Sequence, residues 1–123
     1  MEISTQEFKH VELIAITGRV DSVEAARLAT ALESARRRGQ HRIVVDMSQV
    51  EYMSSAGFRA LGEAQRINRN QRRGEVILAN VPHRIHEALE MVGFTDYFHI
   101  EDSVPAALAF AENLLAGDSP SNA

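Results

Sequence analysis

The sequence has no cysteine and no tryptophan, only three prolines, and a single lysine at position 9. The missing cysteines exclude disulfides, thiolate metal sites and cysteine nucleophiles together. No apolar run approaches the roughly 18 residues of a membrane span. Residues Met1–His10 are polar and mixed in charge, unlike a secretion signal. The expectation is therefore a cytoplasmic protein with no direct membrane insertion. A basic excess is also lacking: 13 Lys and Arg stand against 17 Asp and Glu, for a formal charge of -4. General affinity for the phosphates of nucleic acid is not expected from such a balance. The 123 residues, 45% hydrophobic and 24% charged, match one ordinary soluble domain with its own core. Neither an internal repeat nor an interdomain linker is visible.

Along the chain, Ile3–Phe8 and Val11–Thr17 read as two strands joined by a tight turn at Lys9-His10. Gly18-Arg-Val-Asp21 breaks the pattern, and Asp21 or Ser22 can cap the helix that follows. In that helix Ala25, Leu28, Ala29, Leu32 and Ala35 recur at helical spacing. It ends at Arg36-Arg37-Arg38-Gly39, which read as cations against the helix dipole and a glycine cap. Arg42–Met47 and Glu75–Ala79 are continuously apolar, as expected of central strands covered on both faces. A helix is predicted between them, from about Ser55 to Arg72. A third helix, Pro82 to Val92, turns Ile85, Leu89 and Val92 inward and stops at Gly93. Tyr97–Ile100 makes a short last strand. The final helix, capped at Asp102 or Ser103, buries Val104, Leu108, Ala111 and Leu115, with Pro105 tolerated in its first turn. The order ββαβαβαβα gives an α/β fold, one mixed sheet with packed helices over residues 1–116. Residues 117–123 read as a disordered tail. Leu13, Ile14, Val44, Val45, Leu61, Ile77, Leu78 and Leu89 are the candidate core.

The most informative stretch is Val44-Val-Asp-Met-Ser-Gln-Val-Glu-Tyr-Met-Ser-Ser-Ala-Gly-Phe-Arg-Ala-Leu61. A buried strand ends at Asp46, a short loop follows, and a helix opens at Ser54-Ser55. On a wheel of 100° per residue, Gly57, Ala60, Leu61, Ala64 and Ile67 form one stripe. Three of these five are very small, which lets the helix lie close on the sheet. Ser55 then points away from the stripe, with Arg59 and Arg66 on its side. Ser54 lies towards the stripe's flank. Phe58 and Gly62 also fall on the flank, which predicts a large apolar ring beside an open patch. An exposed serine at a helix N-terminus suits phosphorylation, because the free amides and the dipole stabilise added negative charge. Arg59, one turn on, is placed to pair with it. Equally, Ser54 or Ser55 can simply cap the helix.

Asp46-Met-Ser-Gln-Val-Glu-Tyr-Met-Ser-Ser-Ala-Gly-Phe-Arg-Ala-Leu61 resembles the signature of STAS domains of the anti-sigma factor antagonist family. Ile14-Ala-Ile-Thr-Gly-Arg-Val-Asp21 is similar to that family's second strand and its Gly-x-hydrophobic-Asp turn. Val92–Ile100 with Ala106-Ala-Leu108 is similar to its C-terminal pattern, so the likeness runs through nearly the whole chain. The resemblance implies a STAS-type domain that binds partners and is not an enzyme. It implies phosphorylation at Ser55, the serine two positions before Gly57. The implied partners are a serine protein kinase that is also an anti-sigma factor, and a serine phosphatase of the metal-dependent type. The unphosphorylated antagonist would bind the kinase and free the sigma factor. Asp21, Asp46, Ser54, Ala56, Gly57, Phe58, Arg59 and Gly62 are the implied partner-contact residues, with both aspartates at strand ends beside the Ser55 helix. For Asp21 a plain capping role stands beside that one. Many members carry an acidic residue at the position of Ser54 and Ser or Thr at that of Ala56. The Ser-Ser-Ala-Gly form resembles other branches, some of which serve regulators other than sigma factors.

Other constellations are weaker. His83 and His86 share ligand spacing on a helix, but no third ligand is near in the pattern, so no metal or other cofactor is expected. Ser55 lacks the Gly-x-Ser-x-Gly elbow of a hydrolase. Two alternative roles stay open: a STAS regulator of a non-sigma signalling or secretion pathway, and a STAS accessory subunit of a membrane transporter.

Overall fold

The structure is a computed structural model, described for residues 1–116 and for the side chains of residues 1–114. The tail 117–123 and the expected burial of Leu115 lie outside the described residues. Five strands and four helices follow in the order β1 (Glu2–Glu7), β2 (Glu12–Val20), α1 (Glu24–Arg37), β3 (Arg42–Met53), α2 (Ser55–Arg69), β4 (Glu75–Ala79), α3 (His83–Met91), β5 (His99–Glu101) and α4 (Val104–Ala116). This is the ββαβαβαβα order read from the sequence.

The strands lie in the sheet in their chain order, β1-β2-β3-β4-β5. The first pair is an antiparallel hairpin and the other three pairs are parallel. Parallel neighbours joined by a crossover are right-handed almost without exception. Stepping the same way across the sheet therefore delivers α1, α2 and α3 to one face. The main core shows this, with Leu28 and Leu32 of α1, Leu61 of α2, and Ile85 and Leu89 of α3 packed on Ile14, Ile43, Val45 and Leu78. Among the described elements only α4 lies on the other face, where Ala107 and Ala111 cover Val44, Ile77 and Ala79. Each large side chain buried this way is worth about 1.5–3 kcal/mol.

Of the candidate core, Ile14, Val44, Val45, Leu61, Ile77, Leu78 and Leu89 are fully buried. Leu13 is only partly buried, because α4 reaches the centre of the second face and leaves β2 near its margin. Val92 does not turn inward; it follows the last turn of α3 and is 50% exposed. Val104 and Leu108 are half-buried beside Ala111.

Three boundaries differ from the sequence reading by three residues or more, and β5 starts at His99 rather than at Tyr97, which lies in the turn before it. β3 does not stop at Met47 but runs on to Met53, where Gln49, Val50, Tyr52 and Met53 pair with Thr17, Gly18, Arg19 and Val20. β2 correspondingly continues through Gly18 to Val20, with irregular register between Ala15 and Thr17 and between Gly18 and Arg19. Polar side chains hid this extension, because α4 does not cover that end of the sheet. Finally, α2 ends at Arg69 rather than Arg72. There the chain folds back so tightly that a Cβ on Gly74 would lie 1.8 Å from the Asn68 carbonyl oxygen.

Polar groups tie the elements together. Gln65 is fully buried; its Oε1 accepts from the Val76 N–H at 2.7 Å and its Nε2 donates to the Tyr97 carbonyl at 2.9 Å. Asn68, equally buried, donates to the His41 carbonyl at 3.0 Å. Glu12 of β2 is buried against the Arg38 guanidinium at the end of α1, and its Oε1 has no hydrogen-bond partner among the described residues. The arginine triplet is thus held by the protein itself: Arg36 donates to Asn68 and Arg37 lies 3.6 Å from Glu33.

Candidate functional site: the junction of β3 and α2

The site is built where the lengthened β3 turns into α2. Met53 pairs with Val20, and the next amide, Ser54 N–H, donates to the Val20 carbonyl at 2.8 Å. This bond fixes the start of α2 against the end of β2 and the Asp21 turn that follows. Ser54 has extended backbone (φ −75°, ψ 168°), and its Oγ accepts from the Gly57 N–H at 3.2 Å. It is the N-cap, which settles the choice between the two serines. Ser55 is the first helical residue and is exposed. Its hydroxyl has no hydrogen-bond partner among the described residues.

Gly57 is needed here for closeness. A Cβ at this position would come within 2.7 Å of Met53 Cγ and 3.1 Å of Val20 Cγ1. The first turn of α2 can rest on the two paired strand ends only without a side chain at 57. Gly57 is accordingly buried.

The expected ring beside an open patch is not there. Phe58 is 6% exposed and belongs to the main core. Gly62 is buried under Phe94, whose Cζ would lie 2.9 Å from an added Cβ. The buried stripe runs through Gly57, Phe58, Leu61, Gly62, Ala64, Gln65 and Asn68, while Ala60 and Ile67 are only partly covered. Gln65 and Asn68 find backbone partners inside, and the helix is rolled towards them, carrying Phe58 in.

The aspartates part company. Asp21 is exposed at the end of β2; its Oδ1 accepts from the Glu24 N–H at 2.8 Å, so Asp21 rather than Ser22 closes the entry to α1. Asp46 lies within β3, not at its end. Alternation from Val44 puts it on the α4 face, away from α2. Its Oδ1 accepts from Ser48 N–H at 3.1 Å and Asn80 Nδ2 at 3.2 Å. Asp46 therefore does not join the Ser55 surface.

Ser55, Ala56 and Arg59 remain together on the outside of the first turns of α2, with Ala56 half-buried and Arg59 exposed. Arg66 is tied to Glu63. At the ends of β2 and β3, two exposed apolar side chains escaped the sequence reading. Val23, 77% exposed, follows the Asp21 turn. Tyr52, 41% exposed, carries the Arg19 guanidinium 4.4 Å from its ring centroid. Assigning residues 48–53 to a strand would have flagged Tyr52; no pattern in the sequence singles out Val23. His83 and His86 face Glu87 and Glu90 one turn on, at 3.7 and 3.2 Å. Among the described residues no group of three or more His, Cys, Asp or Glu is placed to hold a metal ion, and no helix is long and apolar enough to cross a membrane.

A hairpin leading into parallel β-α units, a lone helix on the second face and a serine-rich turn at the third strand define a fold that can be matched to known families. The profile of the STAS domain matches residues 2–107. The chain belongs to the STAS domain family. This STAS domain is 29% identical over 110 residues to a protein named as an anti-sigma factor antagonist, BtrV of Bordetella bronchiseptica, covering 89% of this chain and 93% of that one. Its fold superposes with a TM-score of 0.82 on an anti-sigma factor antagonist of Thermotoga maritima, at 13% identity over 89% of this chain and 94% of the other. A sulfate transporter family protein of Wolinella succinogenes has the same STAS fold, with a TM-score of 0.75 and 27% identity over 88% and 89% of the two chains.

Proposed function

We propose that this STAS domain is an anti-sigma factor antagonist switched by phosphorylation of Ser55. Unphosphorylated, it binds an anti-sigma factor that is also a serine kinase and so releases the sigma factor. Phosphate on Ser55 ends the complex, and a serine phosphatase of the metal-dependent type restores it. The observation that carries this reading is the division of labour between the two serines. Ser54 is spent on the helix cap, whereas Ser55 is exposed with an unengaged hydroxyl. The name of the Bordetella relative supports the antagonist role. Ser55, Ala56 and Arg59 form the contact surface with Asp21, and Ser54 supports it from behind.

A phosphate adds about -1.5 to -2 charges at a helix N-terminus, which the first-turn amides and Arg59 accommodate without disturbing the core. A partner built over a neutral hydroxyl must instead bury that charge, which is costly without a cation to meet it. Incubation with the cognate kinase and ATP, followed by fragmentation, should place the phosphate on Ser55. Ser55→Asp should keep the wild-type melting temperature and lose kinase binding, and Ser55→Ala should keep both. Labelling mainly on Ser54, or normal binding by Ser55→Asp, refutes the switch.

The Wolinella protein favours a second reading, a regulatory subunit of a membrane transporter. Co-purification from membranes with a transporter, undiminished by Ser55→Asp, would select it.

A further inference from the structure

Between α1 and α2 runs an open trough of about 340 Å³, lined at one end by Ser22 and by Ala56, the chain neighbour of Ser55. Ala25, Ala29, Leu32, Ala56, Ala60 and Ala64 form its floor. Ala29 is exposed and Ala56 and Ala60 are partly so, which makes this an apolar strip facing solvent. Facing helix sides are ordinarily bridged by longer side chains; here methyl groups leave the space empty. The rim carries Arg36, Arg59 and Glu63. Glu63 is neutralised by Arg66, and Arg36 is held by Asn68. Arg59 makes no ion pair or hydrogen bond among the described residues. The trough thus offers an alanine floor under an unpaired cation, and Arg59 lies one helical turn from Ser55, on the same side of α2.

We propose that the trough seats an amphipathic helix of the protein partner, its apolar side on the alanines and an acidic side chain on Arg59. A phosphate on Ser55 captures Arg59 and removes that anchor. The inference rests on the Ser55 surface being a partner surface, and adds where the partner lies and what chemistry it presents. A third helix fits the space between two others at the usual 8–10 Å separation, more closely when the contact residues are small. A small ligand would need most of its surface enclosed, which an open trough does not provide.

Two synthetic peptides test this. Both carry the same leucine and alanine face, one flanked by glutamates and the other by lysines. They are titrated into the full ¹⁵N-labelled chain, with serine or phosphoserine at position 55. The glutamate peptide should move the amides of Ala29, Ala56 and Ala60, and bind about tenfold more tightly than the lysine peptide. Phosphoserine at 55 should weaken it about fivefold. Arg59→Gln should weaken it about two- to fivefold and shrink the phosphoserine effect to about twofold or less, the screened remainder. Ala29→Arg, at an exposed position, should abolish binding with the melting curve unchanged. Equal binding of both peptides, shifts mapping elsewhere, or tighter binding of laurate in their place would overturn the proposal. If the cognate kinase labels Ser55 and loses its complex, yet neither peptide binds, the trough alone is wrong and the switch stands. If the peptides behave as expected but the kinase never labels Ser55, the switch fails and the trough stands.

Discussion

Four of the five residues from Ser54 to Phe58 do different jobs, and substitutions should separate them. Ser54→Ala removes the cap and should cost about 1 kcal/mol, with Ser55 still open to modification. Gly57→Ala drives a methyl group into Met53 and Val20, and should cost about 1–3 kcal/mol through overpacking. Phe58→Ala empties a core position and should cost about 3–5 kcal/mol, comparable to Leu61→Ala at about 2–5 kcal/mol. Urea denaturation of the four variants checks the set. A Phe58→Ala protein with an unchanged midpoint but impaired kinase binding would return Phe58 to the surface. Spacing put Ser55 almost opposite the expected stripe; on the observed stripe it falls only about 20° from Gly62, and it is exposed as the first residue of the helix. Phe58 was misplaced because a wheel weighted by small and apolar residues centres on Gly57, Ala60 and Ala64. The actual stripe is rolled by roughly three-quarters of a residue step towards Gln65 and Asn68. Nothing in an isolated sequence says that a glutamine will be buried; that depends on which backbone groups await it.

Among elements, the strand and helix order was readable because apolar runs and helical periodicities alternate cleanly between Val11 and Ala111. The extension of β3 was not, since Ser48, Gln49 and Glu51 look like loop until β2 is seen to pair with them. The links between elements are polar and make sharp predictions. Gln65→Leu leaves the buried Val76 amide and the Tyr97 carbonyl without their partner, so it should cost more than an exposed substitution, about 1–3 kcal/mol per orphaned group. An unaltered melting temperature would mean that neither bond matters. Glu12 joins β2 to α1. Burial raises its pKa above the ordinary 4.5, opposed by Arg38. A carboxyl whose folded pKa is raised binds its proton more readily folded than unfolded, so its contribution is full below the ordinary value. That contribution is lost as pH rises through the raised value. Stability of the wild type relative to Glu12→Gln should therefore be greatest near pH 4 and fall towards neutrality. Urea midpoints for both proteins across that range provide the measurement, and a flat or rising difference would contradict it.

At the scale of the whole molecule, the two faces of the sheet are finished at different points along the chain. The α1-α2-α3 face is complete once Phe98 has followed α3 into its core, whereas Val44, Ile77 and Ala79 wait for α4, the last described element. A chain stopped after Asp102 should keep its first layer but leave an apolar strip on the second. Such a product should bind a hydrophobic dye and sediment as aggregates, since parallel sheets need cover on both faces. A soluble, cooperatively melting product would show that α4 is dispensable. The strand order has a consequence for biosynthesis. Because each strand docks beside the one made just before it, a nascent chain emerging from the ribosome at about 5–20 residues per second never needs a later segment to complete an earlier pairing. The sheet can grow outward from the first hairpin as translation proceeds, while its second face stays open from the emergence of β3, which carries Val44, until α4 closes it. Slow codons that lengthen the interval between β3 and α4, more than those before β3, should then lower the soluble yield.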